Sequence, residues 1–540
     1  MRLIARRREL DWHDGIYKQE HQPRLQADGM EDTVVRMSNF AGIEIEEWPA
    51  AIASTAMLLV DHLANQHMAD LLGTSMVRLP IDNFNRANIH IGNALRTDWA
   101  DIVPEGNEIY CAGNPPFSGQ KETAADQRKK EDAKLVWGPL YDGYLDYVTC
   151  WYKKAADYLD DCPGGKFAFV STNSITQGQP VAALFEPLFN AGWHISFAHQ
   201  SFQWASEAAD MAHVHCVIIG FEKGHQPVRR LFTYADIKAE PEEHLVKNIN
   251  PYLVAAPDLF VDKRMKPLAV LPPAVRGSQP TDDGHLIVEP EDYDSVMADP
   301  IAAKYVRPFR MGRELIHGKD RWCLWLVDAT PEELQVSQVL RERVDAVREF
   351  RLKSKKAPTR RKAETPHMFD ENHQPEAGYV GVPSVFSERR QWATVAYLDA
   401  SVIAGNKVYI VSDPDGFAFA IISSLMFMTW QKMIGGRLES RPNFSNTVVW
   451  NNLPLPRVSA HDRERIAEAG RNLSKARLVT GETSLAAMYE QTPLNEALLE
   501  AHESLDQVVD EAFGGCNQMT QEEREILLIN LYLDMTGQNH

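Results

Sequence analysis

Four consecutive residues, Asn114-Pro115-Pro116-Phe117, carry the sharpest chemical signal in this sequence. They follow the apolar segment NEIYCAG, which predicts a strand that runs into a rigid turn. Ligands of open α/β sheets bind beyond the carboxyl ends of the strands, so the turn lies where a site is expected. The side-chain oxygen of Asn114 and the backbone carbonyl of Pro115 are two hydrogen-bond acceptors that the prolines hold in place.

Such a pair of acceptors suits the methylation of an exocyclic amine. The amine of an adenine is a poor nucleophile because its lone pair is delocalised into the ring. Two acceptors that bind its hydrogens favour a tetrahedral nitrogen and expose the lone pair to an electrophile. The ring of Phe117 offers a face on which a base turned out of its duplex can stack. The alternative interpretation is a proline-stiffened turn that follows a strand without a chemical role.

Two acidic side chains precede the turn in the chain. Glu44 lies near the end of the predicted strand Phe40 to Ile45, where a carboxylate can bind the ribose hydroxyls of a nucleoside cofactor. Asp98, in the segment GNALRTDW, can accept a hydrogen bond from the amino group of the cofactor's adenine. Each has an alternative interpretation, Glu44 as a solvated acid and Asp98 as a helix cap or surface acid. Their order before Asn114 favours the cofactor interpretation.

The composition is that of a globular protein, with 44% apolar and 24% charged residues in a chain of 540. This length predicts about three to four domains. The formal net charge of −19 excludes DNA binding by bulk charge, so any such binding must use a local basic face. The six cysteines form no Cys-x-x-Cys pair, so no zinc site and no disulfide framework are predicted, and a reducing cytoplasm is expected. Neither a bound metal nor a membrane span is predicted.

The pattern of apolar residues changes along the chain. Up to about residue 225, apolar strands alternate with helical segments, which predicts an α/β domain with a mostly parallel sheet. Farther on, the apolar run Gly416 to Trp430 predicts one buried helix. From about residue 459 the sequence is charged and helix-rich, with heptad-like apolar spacing in LLEAHESLDQVVDEAF.

Several segments, taken in order, resemble the MmeI-like adenine-specific DNA methyltransferases of type IIL restriction-modification systems. In the first half they are GIEIEEWPAAIASTAMLLVDHLAN, GNALRTDW, AGNPPFSG, FAFVSTNSITQG and FAHQSFQWASEAADMAHVHCVIIGF. In the second half, RWCLWL, PSVFSERRQW and SSLMFMTWQKMIGGRLESRPNFSNTVVWNNLPLP resemble the target-recognition region of that family. The resemblance covers nearly the whole chain.

The resemblance implies a class I S-adenosylmethionine-dependent methyltransferase (Rossmann-like) domain, an α+β target-recognition domain and a C-terminal helical domain. The expected boundaries are 1–225 for the catalytic domain, 226–300 for a connecting segment that completes it, 301–456 for target recognition and 457–540 for the helical domain. The implied function is methyl transfer from S-adenosylmethionine to the N6 nitrogen of a flipped adenine in double-stranded DNA, by a cytoplasmic monomer of a restriction-modification system.

The resemblance also assigns roles in the active site. The catalytic motif would be Asn114, Pro115, Pro116 and Phe117. The cofactor contacts would be Glu44, Ile45, Asp98 and Asn114. Phe202 or Trp204, in the segment HQSFQW, would form the second aromatic wall of the flipped-base pocket. A core aromatic is the alternative interpretation of these last two residues.

Residues around Gly436 to Asn446 are expected to enter the major groove. There Glu439 would read a cytosine amino group and Arg441 a guanine edge, with a surface ion pair as the alternative. The basic run Arg351 to Lys362 and the segment SERRQW are expected to contact phosphates, with a solvated helix end as the alternative for the run. The predicted DNA-binding residues are Lys353, Lys355, Lys356, Arg360, Arg361, Arg389, Arg390, Arg437, Glu439 and Arg441.

The sequence departs from the family at its beginning. The family carries a glycine-rich loop of the form Asp-Pro-Ala-Cys-Gly-Ser-Gly before its first helix, and MRLIARRREL looks like the helix that follows this loop. We therefore expect an N-terminally truncated member without the first strand, the loop and the nuclease, with an upstream polypeptide as a candidate partner.

Two other functions stay open. One is a catalytically incomplete DNA-binding remnant or part of a split enzyme, and the other is a protein glutamine methyltransferase, which uses a similar turn.

Overall fold

The computed structural model describes residues 37–72, 87–104, 106, 108–117, 124–203, 215–224 and 226–538. The predicted N-terminal helix and Trp204 lie outside these ranges. The chain divides into two compact units, the first comprising the residues up to Phe169 with Ala191–Trp193 and Phe221–Gly224, and the second the remainder. Within the described ranges, no helix is long and apolar enough to cross a membrane, and no three His, Cys, Asp or Glu side chains are grouped to hold a metal ion.

Strands alternate with helices in the first part of the chain, as the sequence predicts. The elements are β1 (Ala41–Glu44), α1 (Glu47–Leu72), β2 (Asn88–Ile91), β3 (Tyr110–Gly113), α2 (Ala124–Trp137), α3 (Thr149–Tyr158) and β4 (Lys166–Thr172). β1 pairs with β2 and β3 pairs with β4, both in parallel. Parallel pairing brings the carboxyl ends of neighbouring strands to the same edge of the sheet.

Alternate residues of β4 point into an aromatic core. Phe167 and Phe169 are buried, whereas Ala168 between them is partly exposed. The ring of Phe167 stacks on that of Phe221 with centroids 4.9 Å apart, and Trp193 packs edge-on against Phe167. The hydroxyl of Tyr152 on α3 donates a hydrogen bond to the carbonyl of Phe169. These contacts fix α3 on the sheet, because aromatic side chains bury large apolar areas.

The strands after α4 (Pro180–Asn190) extend the sheet. They are β5 (Trp193–Gln203), β6 (His215–Lys223), β7 (Arg229–Thr233) and β8 (Glu242–Val246). The strand order is β3-β4-β6-β5-β7-β8, and β1 with β2 forms a sheet of its own among the described residues. A Cβ atom at Gly220 would lie 2.1 Å from the ring of Phe197, so only glycine fits this close approach of β6 to β5. The predicted α/β fold is confirmed.

Small sheets replace the βα alternation farther along the chain. The elements are β9 (Ala274–Arg276), β10 (Ile287–Val288), α5 (Pro290–Met297), β11 (Val306–Arg310), α6 (Gly312–His317), β12 (Trp322–Leu324), α7 (Pro331–Val336), α8 (Gln338–Leu352), α9 (Ala357–Arg361), β13 (Tyr379–Pro383), β14 (Ala396–Leu398), β15 (Ile403–Ala404) and β16 (Val408–Ser412). Two four-stranded sheets have the orders β10-β12-β11-β15 and β14-β13-β16-β9. The second sheet is antiparallel throughout.

The apolar run Gly416 to Trp430 belongs to two helices rather than the one predicted. They are α10 (Phe417–Ile422) and α11 (Leu425–Ile434). The hydroxyl of Ser424 accepts a hydrogen bond from the backbone N–H of Phe427 and so caps the start of α11. The prediction of one helix was wrong because hydrophobic pattern alone does not reveal a capping serine inside a buried run.

A hairpin and four helices complete the described chain. They are β17 (Arg437–Leu438), β18 (Arg441–Pro442), α12 (Ala460–Val479), α13 (Leu485–Glu490), α14 (Glu496–Ala512) and α15 (Gln521–Thr536). The segment with heptad-like spacing forms α14, with Leu498, Leu505 and Val509 buried. Asp510 on α14 pairs through both carboxylate oxygens with Arg524 on α15, at 2.6 and 3.0 Å. The predicted helical C-terminal region is confirmed.

Candidate functional site

The Asn114–Phe117 turn follows the carboxyl end of β3, where the sequence predicts it. β3 pairs with β4 up to its last residue, Gly113, which lies opposite Phe169. Asn114 is exposed, whereas Pro115 is buried. A buried proline anchors a turn because its ring packs against the protein and its φ angle is fixed. The turn therefore presents the Asn114 amide to solvent from a rigid backbone.

The cysteines of the sheet do not have the character of nucleophiles. Cys111 lies three residues before Asn114, and burial raises the pKa of its thiol to about 12. Burial also raises the pKa of Cys216 to about 11. Methyl transfer through an enzyme thiolate, as in attack on a pyrimidine carbon, needs an ionised cysteine. These two thiols are therefore poorly suited to that chemistry.

Glu44 lies beside the start of the segment that carries Asp98. Glu44 is the last residue of β1, and its partner in the register is Ile91, the last residue of β2. The N–H of Gly92 donates a hydrogen bond to the carbonyl of Glu44 at 2.7 Å. Ile45 follows with 67% of its surface exposed, so its side chain is available for an apolar contact with a flat ring. This edge of the β1–β2 sheet thus combines an acidic and an apolar group.

The segment between β2 and Asp98 is a turn closed by its own backbone. The carbonyl of Asn93 accepts hydrogen bonds from the N–H groups of Arg96 and Thr97, both at 2.9 Å. Asp98 is exposed, and its carboxylate accepts a hydrogen bond from the N–H of Ala100 at 3.1 Å. This bond caps a turn rather than a helix, so Asp98 matches the other alternative interpretation, a surface acid. A carboxylate has acceptor capacity beyond one such bond, so the cap is compatible with a further hydrogen bond to a ligand.

Helix α2 contributes a buried carboxylate that the sequence analysis did not identify. Asp132 is 4% exposed and accepts hydrogen bonds from the side chains of Asn93 and Arg96. In the sequence it stands in the charged segment DQRKKEDAKL, where no pattern separates it from its solvated neighbours. The turn before Asp98 is thus attached to α2 through a residue that only the structure reveals.

Phe202 lies near the end of β5, in the second compact unit. Its ring stacks on that of Tyr234 with centroids 5.4 Å apart and an interplanar angle of 22°. The ring of His199 lies 6.2 Å away, edge-on. This packing agrees with the interpretation of Phe202 as a core aromatic, although the residue is only partly buried. Its role in a base pocket stays a prediction.

The β17–β18 hairpin displays Glu439 and Arg441 to solvent. In its register Arg437 lies opposite Pro442, and Leu438 lies opposite Arg441. Glu439 adopts a φ angle of +61°, the left-handed conformation that tight turns use. The guanidinium of Arg441 donates a hydrogen bond to the Glu439 carboxylate at 2.8 Å. If Glu439 and Arg441 contact DNA bases as predicted, the ion pair between them must break and be replaced by hydrogen bonds to the bases.

Models of three protein domains match consecutive parts of the chain. The DNA-methyltransferase domain of MmeI matches residues 5–233, its target recognition domain 255–457 and its C-terminal domain 458–538. The structure of the Type IIL restriction-modification enzyme MmeI in complex with DNA is similar, with a TM-score of 0.85 and 36% sequence identity. That match covers 99% of this chain and 71% of the MmeI chain. The chain belongs to the MmeI family.

A curated relative agrees with this membership. DNA methyltransferase A of Bacillus subtilis (strain 168) is 33% identical to the chain over 506 residues. The matched residues are 93% of this chain and 56% of that protein, so the chain spans little more than half the length of the relative. The resemblance to MmeI-like enzymes and the order of methyltransferase, target-recognition and C-terminal domains are confirmed.

The hairpin falls within the residues matched by the MmeI target recognition domain, and its base is fixed from two sides. The N–H of Gly178, in the segment after β4, donates to the carbonyl of Ile434 at 2.9 Å. Gln431 is fully buried, and its amide donates to the carbonyl of Asn443 at 3.2 Å. The N–H of Asn443 in turn donates to the carbonyl of Gly436 at 2.8 Å. A rigid base of this kind holds exposed tip residues in register.

The residues predicted to contact phosphates divide into an exposed and a buried group. The exposed residues are Lys353, Lys355, Lys356, Arg360, Arg361 and Arg389. Arg390, in contrast, is 8% exposed and donates to the carboxylate of Glu490 at 3.2 Å. The side chain of Glu490 is itself 67% exposed, so this pair lies at the surface, and a phosphate contact of Arg390 stays a prediction. Arg351, at the start of the basic run, is also buried.

Proposed function

We propose that this chain transfers a methyl group from S-adenosylmethionine to the N6 nitrogen of a flipped adenine at a specific site in double-stranded DNA. The Asn114–Phe117 turn carries the proposal, because it presents an exposed acceptor on a rigid backbone in a chain of the MmeI family. Activation of an exocyclic amine requires acceptors placed in advance. The match of residues 255–457 to a target recognition domain supports DNA rather than a protein glutamine as the substrate.

The groups beyond β1 and β2 fit S-adenosylmethionine. In the proposal, the Glu44 carboxylate accepts hydrogen bonds from the two ribose hydroxyls, and Asp98 accepts one from the adenine amino group. The exposed side chain of Ile45 packs against the face of the adenine ring. The bound cofactor supplies a methyl group on a positively charged sulfur. The protein therefore has to hold two molecules in line and activate one nitrogen.

Asn114 and Pro115 perform this activation in the proposed mechanism. The two hydrogens of the adenine amine bind the side-chain oxygen of Asn114 and the carbonyl oxygen of Pro115. The nitrogen lone pair then leaves conjugation with the ring and points at the methyl group. Bound S-adenosylmethionine would supply the methyl group to this nitrogen, and the surplus proton of the amine would leave to water because amides are not bases at neutral pH. Phe117 stacks on the base.

Methyl incorporation tests the proposal. Plasmid DNA and radiolabelled S-adenosylmethionine are incubated with the full chain, and the DNA is then digested to nucleosides. We expect label in N6-methyladenine, and single-molecule sequencing of the product is expected to show one sequence motif. Unlabelled DNA, together with no binding of S-adenosylmethionine by calorimetry, would overturn the proposal. Retained DNA binding would then support the incomplete remnant, and label in a protein glutamine would support the third function.

Arg441→Ala is expected to relax the methylated motif at one base pair. Loss of a bidentate contact to a guanine costs about 1–3 kcal/mol of discrimination, which is roughly 5- to 150-fold in the preference for that base. The measurement is sequencing of plasmid DNA methylated by the variant. Arg471→Ala is the matched control, because Arg471 pairs with Glu464 on α12, outside the hairpin. An unchanged motif in Arg441→Ala would contradict base reading by this arginine.

A further inference from the structure

One buried carboxylate on α2 is bonded to the segment that leads to Asp98. The Oδ1 atom of Asp132 accepts a hydrogen bond from Nε of Arg96 at 2.7 Å. Its Oδ2 atom accepts one from Nδ2 of Asn93 at 3.0 Å and another from the hydroxyl of Tyr147 at 3.2 Å. Two of these three donors belong to the same turn. A buried carboxylate without hydrogen-bond donors is costly in free energy. Asp132 therefore favours the position of the turn in which Asn93 and Arg96 donate to it.

Asn93 and Arg96 are the two ends of the turn that precedes Asp98. Their backbones are joined by the hydrogen bond from the N–H of Arg96 to the carbonyl of Asn93. Asp132 binds both side chains from outside the turn, and its contact with Arg96 is charge-assisted and short. Lys154 on α3 adds a hydrogen bond to the carbonyl of Leu95 at 3.3 Å. The position of Asp98 therefore depends on α2 and α3 as well as on β2.

The same face of α2 also contacts the Asn114–Phe117 turn. Lys129 lies three residues before Asp132, and residues with this spacing share one face of a helix. The ammonium group of Lys129 donates to the carbonyl of Phe117 at 3.4 Å. It also lies over the ring of Tyr147, 5.5 Å from the centroid, and the hydroxyl of this tyrosine is bonded to Asp132. Lys129, Asp132 and Tyr147 thus form one cluster between two segments.

We infer that Lys129 and Asp132 are positioning residues, which use helix α2 to hold the Asp98 segment and the Asn114–Phe117 turn at a fixed relative position. The inference rests on the proposed function, in which one segment binds the methyl donor and the other binds the acceptor. Displacement of reacting groups by about 1 Å costs on the order of 100-fold in rate. A common support for the two segments is a direct way to limit such displacement.

The two residues are expected to affect different kinetic parameters. Asp132→Asn removes a charge-assisted contact with Arg96 in the Asp98 segment, which is proposed to bind the cofactor. We therefore expect the KM for S-adenosylmethionine to rise about tenfold. Lys129→Met removes the hydrogen bond to the carbonyl of Phe117 and so loosens the Asn114–Phe117 turn. We expect kcat to fall roughly tenfold while the KM for S-adenosylmethionine stays unchanged. Arg96→Met is expected to reproduce the effect of Asp132→Asn, and Arg96→Lys is expected to restore most of the affinity. If the two residues only stabilised the fold, the substitutions would lower thermal stability without dividing their effects between KM and kcat.

Lys153→Met is the matched control, because Lys153 is a lysine of the neighbouring helix whose partner is Asp157. It is expected to keep wild-type kinetics. Asp132→Asn with a wild-type KM would overturn the inference while leaving the proposed function intact. If the wild-type chain transfers no methyl group, the proposed function fails, and hydrogen exchange decides the inference separately. The amides of Arg96 and Thr97 are expected to exchange faster in Asp132→Asn, and unchanged exchange would overturn the inference.

Discussion

Asn114→Ala is expected to lower the rate of methyl transfer by roughly 100- to 1,000-fold while leaving DNA affinity close to that of the wild type. The substitution removes one of the two acceptors proposed to bind the adenine amine. Removal of one preorganised hydrogen-bonding group at a reacting centre typically costs this much in kcat. The exposed position of Asn114 implies little effect on folding, because no buried contact is lost. Single-turnover methylation of plasmid DNA measures the rate without interference from product release.

A second substitution at the same position separates acceptor chemistry from shape. Asn114→Asp keeps an oxygen acceptor of the same reach, so we expect it to retain more activity than Asn114→Ala. Asn472→Ala is a suitable control, because it removes an exposed asparagine of α12, far along the chain from β3. If Asn114→Ala retains more than about a tenth of the wild-type rate, activation of the amine by this side chain is wrong.

The position of the turn could be predicted because its determinants are local. The apolar segment before Asn114 forms β3, and β3 ends at Gly113, directly before the asparagine. Glu44 is likewise the last residue of β1, within one residue of the predicted strand end. Strand ends are marked by a change from apolar to polar residues and by prolines, and these signals act over a few positions.

Asp132 could not be predicted, because its burial depends on partners far away in the sequence. Its hydrogen-bond donors Asn93 and Arg96 precede it by 39 and 36 residues. Its neighbour Glu131 is exposed, and the two acidic residues are equivalent in the sequence pattern. Only the tertiary contact between α2 and the turn distinguishes them. The sequence therefore predicts the candidate site residues themselves, but not Asp132, which supports one of them through tertiary contacts.

The sequence predicts one exposed surface for the basic run from Arg351 to Lys362, and the structure divides it. The side chains from Lys353 to Lys356 are at least partly exposed, whereas Arg351 is 0% exposed. The periodicity of α8 contained the necessary signal, because Leu340, Val344 and Val347 are its other buried residues and Arg351 continues their spacing. Charge count predicted a surface residue, whereas position on the helix predicted a buried one.

Arg351→Met is expected to destabilise the target-recognition region by about 4 kcal/mol, since the five hydrogen bonds of a fully buried guanidinium are lost. The guanidinium donates to carbonyls on both sides of α8, those of Pro280, Thr281, Lys362, Thr365 and Met368, at 2.7 to 3.0 Å. Methionine has a long, unbranched side chain but none of the N–H donors of the guanidinium. We expect the calorimetric transition of this region to fall by roughly 10 °C.

Arg348→Met tests whether this effect comes from burial. Arg348 lies one turn earlier on α8 and pairs with Asp345 at the surface, where ion pairs contribute little. We expect it to change the free energy of unfolding by less than about 0.5 kcal/mol. Equal transitions in the two variants would show that Arg351 is not needed to join the segments around residues 280 and 365. A large loss of stability in Arg351→Met, with DNA affinity unchanged below the transition, would instead separate the structural role of this arginine from the phosphate contacts predicted for the lysines that follow it in the sequence.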